Sequence, residues 1–218
     1  MTMRRAAPIR HLPQSGFDLV AIACSAGGLL AVGRILSELP ADFTAPIALV
    51  MHLSAGHPSV LRDVLQRRTR LLVEWASEGA RLRPGHVYIA PTDHHLLVNS
   101  KFVCELSGSS KVSYTRPAAD VLFTSAAAAL GPRVLGVVLT GAGQDGATGA
   151  VAIRAAGGTV LAQAPDSSDS RGMPTAAIER GGTDLVVPLE SVSAALISLV
   201  MVRGTAEVLG IHGGGRNR

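Results

Sequence analysis

From Phe17 onward the chain runs in apolar blocks separated by glycine, proline and polar turns, and the blocks alternate between two kinds. Asp18 to Cys24 (DLVAIAC), Pro46 to His52 (PIALVMH), Val134 to Leu139 (VLGVVL), Thr159 to Ala164 and Leu185 to Val187 are short and nearly continuously apolar. Runs of that kind suit strands buried on both faces of a parallel sheet. Between them the spacing predicts helices over Gly27 to Leu39, Pro58 to Arg70, Pro117 to Leu130, Ala147 to Ala156, Met173 to Arg180 and Ser191 to Val202. Pro58 near a first turn and the amphipathic pattern of the last segment support those assignments. Repeated β–α–β alternation predicts an α/β fold, a doubly wound, mostly parallel sheet with helices on both faces. The middle departs from the rhythm. Leu71 to Trp75, Val87 to Ala90, Leu96 to Val98 and Phe102 to Leu106 are short and separated by glycine or polar residues. They are expected to form a small antiparallel excursion between the two α/β halves.

Composition agrees with this architecture. The 218 residues are 47% apolar but only 3% aromatic, so the core is built from Ala, Val, Leu and Ile, and the length suits one large domain. Residues 17–204 are expected to be that domain, flanked by a flexible basic tail at 1–16 and a flexible Gly-rich tail at 205–218. The net charge of +4 belongs to the ends: without Arg4, Arg5, Arg10, Arg216 and Arg218, 15 basic residues face 16 acidic ones. A near-neutral domain with solvated basic ends predicts no nucleic-acid partner. Cys24 and Cys104 have neither a disulfide framework nor a metal-binding spacing. Every apolar run is interrupted before it could span a bilayer, and the N-terminus lacks the apolar segment of a signal peptide. The expectation is a cytoplasmic protein with no membrane insertion.

The chemistry gathers where strands end. Cys24-Ser25-Ala26-Gly27-Gly28 places a serine at the carboxyl end of a strand, with two glycines and a helix directly after it. Such a turn exposes the hydroxyl and aims free helix N–H groups at whatever binds there, as a nucleophile and an oxyanion hole require. Met51-His52-Leu53 ends the second strand. If the two strands are neighbours, about 4.8 Å apart, His52 is within reach of Ser25. Leu139-Thr140-Gly141-Ala142-Gly143-Gln144-Asp145-Gly146 follows a third strand and puts Asp145 on the same edge. A carboxylate there can orient the imidazole and stabilise its charged form. Each residue alone has an ordinary reading, as a helix cap, a structural histidine or a turn aspartate. Their shared edge is what points to a Ser-His-Asp triad.

A rival reading uses the same loop. Gly141, Gly143 and Gly146 spell G-x-G-x-x-G between a strand and a helix, with Asp166 20 residues beyond Gly146, which has the form of a dinucleotide-binding fingerprint. Asp145 inside that cradle would repel a pyrophosphate, and the reading leaves Ser25 and His52 without a role. Asp93-His94-His95 does not make a metal site, because adjacent strand residues point to opposite faces and no third ligand accompanies them. Cys24 is expected to point into the core, and Arg62, Arg67, Arg68 and Arg70 to form a solvated helix face.

With these residues in view, the chain resembles the catalytic domain of the chemotaxis protein-glutamate methylesterases (the CheB family). The resemblance covers about Asp18 to Leu196, in ordered blocks: Ile22 to Gly28, Met51 to Leu53, Tyr88 to Pro91, Arg116 to Phe123, Leu139 to Gly146 and Gly172 to Pro174. It implies that Ser25 is the nucleophile, His52 the general base and Asp145 the orienting acid, with Ala26, Gly27 and Ala142 as the oxyanion and substrate loops. It further implies hydrolysis of glutamate γ-methyl esters through an acyl-enzyme, and in some members deamidation of glutamines. The implied partners are methylated chemoreceptor helices or another methylated protein, and no cofactor or metal is implied. The chain departs from the family pattern at Ala26, where the family has Thr, at Ala142, where it has Met, and at Met51, where it has Gln. Full-length members carry a phosphorylatable receiver domain, and with about 16 residues before the first strand the expectation is a stand-alone esterase, controlled through expression, localisation or a separate regulatory partner. The non-enzymatic alternative is a binding module with a vestigial site.

Overall fold

The computed structural model describes residues 16–52 and 60–202, so the two expected tails, apart from Gly16, and the start of the second helix at Pro58 lie outside the described residues. Seven strands form one parallel sheet: β1 (Leu19–Cys24), β2 (Ile47–Met51), β3 (Leu72–Trp75), β4 (His86–Ile89), β7 (Val134–Val138), β8 (Thr159–Gln163) and β9 (Leu185–Val187). Their spatial order is β3-β4-β2-β1-β7-β8-β9. β5 (His95–Val98) and β6 (Cys104–Ser107) form a separate antiparallel hairpin. Among the described residues the α-helices are α1 (Gly28–Glu38), α2 (Leu61–Gln66), α3 (Ala119–Leu130), α4 (Ala147–Ala155), α5 (Gly172–Glu179) and α6 (Leu189–Met201).

Alternation along the strands divides the core in two. Val20, Ile22, Cys24, Leu49, Met51, Val137 and Leu139 pack under α1, α2 and α6. Leu19, Ala21, Ala23, Ala48, Val50 and Val138 pack under α3, α4, α5 and the hairpin. Helices therefore cover both faces, as a doubly wound sheet requires. The second face has small strand residues, Ala21, Ala23 and Ala48, in the cluster it shares with α3 and α4.

Two expectations need correction. β3 and β4 belong to the main sheet, as its parallel edge, and only β5 and β6 form the antiparallel excursion. The usual crossover between parallel strands is a helix, but residues 76–85 cross without one. They are held instead by the hairpin, through Gly79 N–H to Cys104 C=O (3.0 Å), Cys104 N–H to Ala80 C=O (2.8 Å) and Leu82 N–H to Phe102 C=O (2.8 Å). No helical period marks that crossing. The second helix is also shorter than the apolar pattern suggested, because Gln66 turns to β3. Its amide donates to Leu71 C=O (3.0 Å) and accepts from Val73 N–H (2.9 Å), leaving Arg67, Arg68 and Arg70 exposed in a turn.

The winding reverses at β1. The chain goes from β1 to β2 on one side and later returns to β7 on the other, and the helices after β1 and β7, α1 and α4, lie on opposite faces. A crevice opens at the carboxyl ends of such strands, where ligands bind in open α/β sheets. Ser25 and Asp145 follow those two strands.

Candidate active site

Ser25 is the first residue beyond β1, and its N–H donates to Thr140 C=O (3.0 Å) beyond β7. The chain then turns within four residues, with Gly28 N–H donating back to Ser25 C=O (2.8 Å). Gly27 sits at φ 78°, the left-handed conformation that the third position of a type II turn demands. A side chain there would also collide with the Asp169 carboxylate, so only glycine fits. Cys24 is fully buried under α1, as its place in the strand predicted, and Ser25 turns to the other side. The Ser25 hydroxyl makes no hydrogen bond with another described residue.

His52 stands beside Ser25. β1 and β2 pair through Cys24 and Met51, and one residue further His52 N–H donates to Cys24 C=O (3.2 Å). Met51 points into the core under α1, so His52 faces the side covered by α3. Its Nε2 lies 2.7 Å from Asp145 Oδ2. His52 is 15% exposed and Asp145 only 3%. With Nε2–H donating to the carboxylate, Nδ1 remains as the basic nitrogen.

A buried carboxylate needs partners, and Asp145 has three. Oδ2 accepts from His52 Nε2–H and from Ala119 N–H (2.6 Å), and Oδ1 accepts from Asp120 N–H (3.0 Å). Both amides belong to the first turn of α3, whose N-cap residue Ala118 supplies no capping side chain. Asp145 therefore caps α3 from another element, at the positive end of its dipole. Burial alone would push the Asp145 carboxyl up. The bonds from His52, Asp120 and Ala119 outweigh it and hold the group below the ordinary carboxylate value, charged at neutral pH. Asp120 returns the arrangement by accepting Gly149 N–H (2.7 Å) in the first turn of α4. Burial, reinforced by the Asp145 charge, pushes the Asp120 carboxyl up.

The loop residues Ala26 and Ala142 are exposed at this edge, with Gly27 half-buried between Ala26 and α1. The backbone N–H groups of Ala26, Gly27 and Ala142 have no acceptor among the described residues. Gly141, the first glycine of the rival fingerprint, has another duty here. A side chain at Gly141 would run into Met173 Sδ and lie 2.9 Å from Ser25 Cβ, so the loop after β7 passes directly against the serine. Asp166 is exposed, 3.4 Å from Arg171. His94 is exposed, whereas His95 is fully buried, accepting Ala118 N–H at Nδ1 (3.1 Å) and bonded through Nε2 to Ser110 C=O (3.1 Å). No group of three or more potential metal ligands occurs among the described residues.

Residues 20–196 match the CheB methylesterase domain. The chain belongs to the CheB methylesterase family. The solved catalytic domain of the CheB methylesterase of Thermotoga maritima superposes with a TM-score of 0.81 at 37% identity, over 84% of this chain and 99% of that domain. The chain is 43% identical over 190 residues to the protein-glutamate methylesterase FrzG of Myxococcus xanthus, 87% of this chain and 57% of that protein. It is 38% identical over 215 residues to a Pseudomonas aeruginosa protein named protein-glutamate methylesterase/protein-glutamine glutaminase 2, 94% of this chain and 61% of that one. The chain thus spans about three fifths of the length of these curated CheB relatives. No helix among the described residues of this CheB domain is long and apolar enough to cross a membrane.

Several residues that shape the site gave no sequence signal as site residues. Thr140, Asp120 and the amides of α3 act by closing hydrogen bonds between segments 25–114 positions apart. Neither periodicity nor a local motif encodes such pairings.

Proposed function

We propose that this domain hydrolyses glutamate γ-methyl esters on methylated chemoreceptor helices or a similar methylated protein, releasing glutamate and methanol. Ser25 is the nucleophile, His52 the general base and Asp145 the orienting acid. The observation that carries the reading is the His52–Asp145 bond of 2.7 Å, anchored on α3, on the strand register that sets His52 beside Ser25. His52 Nδ1 takes the Ser25 proton as Oγ attacks the ester carbonyl, while Nε2–H stays on the Asp145 carboxylate. The unpaired N–H groups of Ala26 and Gly27, with that of Ala142 across the crevice, are the donors for the anionic tetrahedral intermediate. His52 then protonates the departing methoxide, and a water molecule, activated in the same way, releases glutamate from the acyl-enzyme. A glutamine side chain would follow the same steps with ammonia as the leaving group, in keeping with the double name of the Pseudomonas relative. The substrate proteins place the work in the cytoplasm.

Methanol release from methylated receptor protein tests this. Ser25→Ala should lower kcat at least roughly 10³-fold with an unchanged melting temperature, and adding His52→Ala should cost little more, because the pair acts as a unit. Retention of more than about a tenth of the activity in Ser25→Ala refutes the assignment.

A further inference from the structure

Thr140 lies two residues past β7 and is 1% exposed. All of its polar atoms are engaged. Its N–H donates to Gln163 Oε1 (2.9 Å), and its carbonyl accepts Ser25 N–H (3.0 Å). Its hydroxyl lies 2.9 Å from Ala26 C=O and 3.3 Å from Ser170 C=O, and accepts Ser170 N–H (2.9 Å). A hydroxyl has one proton to give, and the shorter contact directs it to Ala26.

That bond decides where the next amide points. In a trans peptide the carbonyl and the following N–H are antiparallel. With the Ala26 carbonyl drawn inward to Thr140, Gly27 N–H faces the opposite way, out of the buried layer, and it has no acceptor among the described residues. A type II turn differs from a type I turn by a flip of this central peptide. Gly27 tolerates either form, so the sequence of the turn does not choose between them. The Thr140 hydroxyl does. A flipped peptide would aim a carbonyl oxygen where an oxyanion has to develop.

We propose that Thr140 is a positioning residue that holds the Ala26–Gly27 peptide in its donating orientation. This rests on the hydrolase reading above. Through Ser170 the same hydroxyl ties the turn to the loop of residues 165–171, whose Asp169 packs over Gly27. The orientation of the oxyanion donor is thereby set by three loops together.

The test is a graded series at position 140, assayed by methanol release from methylated receptor protein and by inhibition with phenylboronic acid, which forms a tetrahedral anionic adduct on a catalytic serine. Thr140→Ser keeps the donor and should retain kcat within about threefold. Thr140→Val keeps the shape and loses the donor, so kcat should fall about 10²-fold with KM within about threefold, the effect of losing one oxyanion donor. Boronate affinity should fall in parallel. Thr140→Cys, a weaker donor, should lie between, and it carries the test should Thr140→Val fail to fold. Full kcat in the valine or cysteine variant, equal losses in the serine and valine variants, or a loss confined to KM would each overturn the proposal. Ser25→Ala separates the two layers: if it is inactive while Thr140→Val is fully active, only the role of Thr140 falls. If Ser25→Ala is active, the hydrolase reading falls and this inference with it.

Discussion

Asp145→Asn separates charge from shape, because the amide fits the same space. Oδ2 accepts two N–H groups, from His52 and Ala119, and Oδ1 accepts one from Asp120. If the amide oxygen takes the Oδ2 place, its NH₂ faces the Asp120 N–H, donor against donor. If it flips, the NH₂ faces Ala119 N–H and drives His52 into the wrong tautomer. Either way one buried N–H loses its acceptor, at about 1–3 kcal/mol. Loss of the anion at the α3 N-terminus adds about 1 kcal/mol. The sum, about 2–4 kcal/mol, should lower the melting temperature by about 4–16 °C for a domain of this size. The folded-state carboxyl lies below its ordinary value. Its stabilisation is therefore complete above the ordinary range near about pH 4 and is lost as pH falls through the lower folded value. The asparagine variant lacks that dependence, so the gap between the two melting curves should close in acid. Activity should fall much further than stability, about 10³–10⁴-fold in kcat, because the unflipped amide leaves the imidazolium without its counter-charge and the flipped one holds the imidazole in the wrong tautomer. Thermal melts across pH and methanol release at neutral pH check both. Equal stability at pH 7, or kcat within tenfold of wild type, would refute the reasoning.

Gly141→Ala should displace Ser25 and cut kcat at least about tenfold in a domain that still melts cooperatively, because a methyl there overlaps Met173 Sδ and presses on Ser25 Cβ. Wild-type activity in that variant would show that the loop has slack. Asp169→Asn removes an exposed negative charge packed over Gly27, so kcat should rise about two- to fivefold, with a smaller gain at high salt. A decrease would mean that the carboxylate binds substrate. Burial pushes the Cys24 thiol up, and burial with Glu74 and Glu78 pushes Cys104 up to about 12. Neither should react with a thiol reagent at pH 8 until the chain unfolds, when both should; labelling of the native protein would contradict the packing.

The strands β1, β2, β7 and β8 were legible because each run is nearly continuously apolar and is bounded by turn residues, with helical periods between them. Placing Ser25, His52 and Asp145 on one edge needed only that alternation, since every β–α unit of a doubly wound sheet delivers its carboxyl end to the same side. What stayed hidden depended on long-range closure. β3 and β4 are short edge strands whose crossover is pinned by a hairpin instead of a helix, so their local pattern is that of any half-buried strand pair. Thr140 reads as an ordinary residue after a strand until the fold sets its hydroxyl under Ala26, 114 positions away.

Asp145, the proposed acid, is also a joint of the fold, which explains why its loop is so constrained. Asp145 caps α3, Asp120 in the first turn of α3 caps α4, and α4 begins two residues after Asp145. Each helix start thus depends on a carboxylate that the other holds in place. The two carboxylates are not equivalent: burial pushes both up, but the hydrogen bonds from His52, Asp120 and Ala119 hold Asp145 below its ordinary value, whereas Asp120 stays above its own. A change that loosened the α3–α4 contact would therefore reach His52 through Asp145 before it reached Ser25, whose position depends on β1, Thr140 and Gly141 instead. His52 and Ser25, the proposed base and nucleophile, are held by separate networks, and they meet only because Cys24 and Met51 share one register in the sheet.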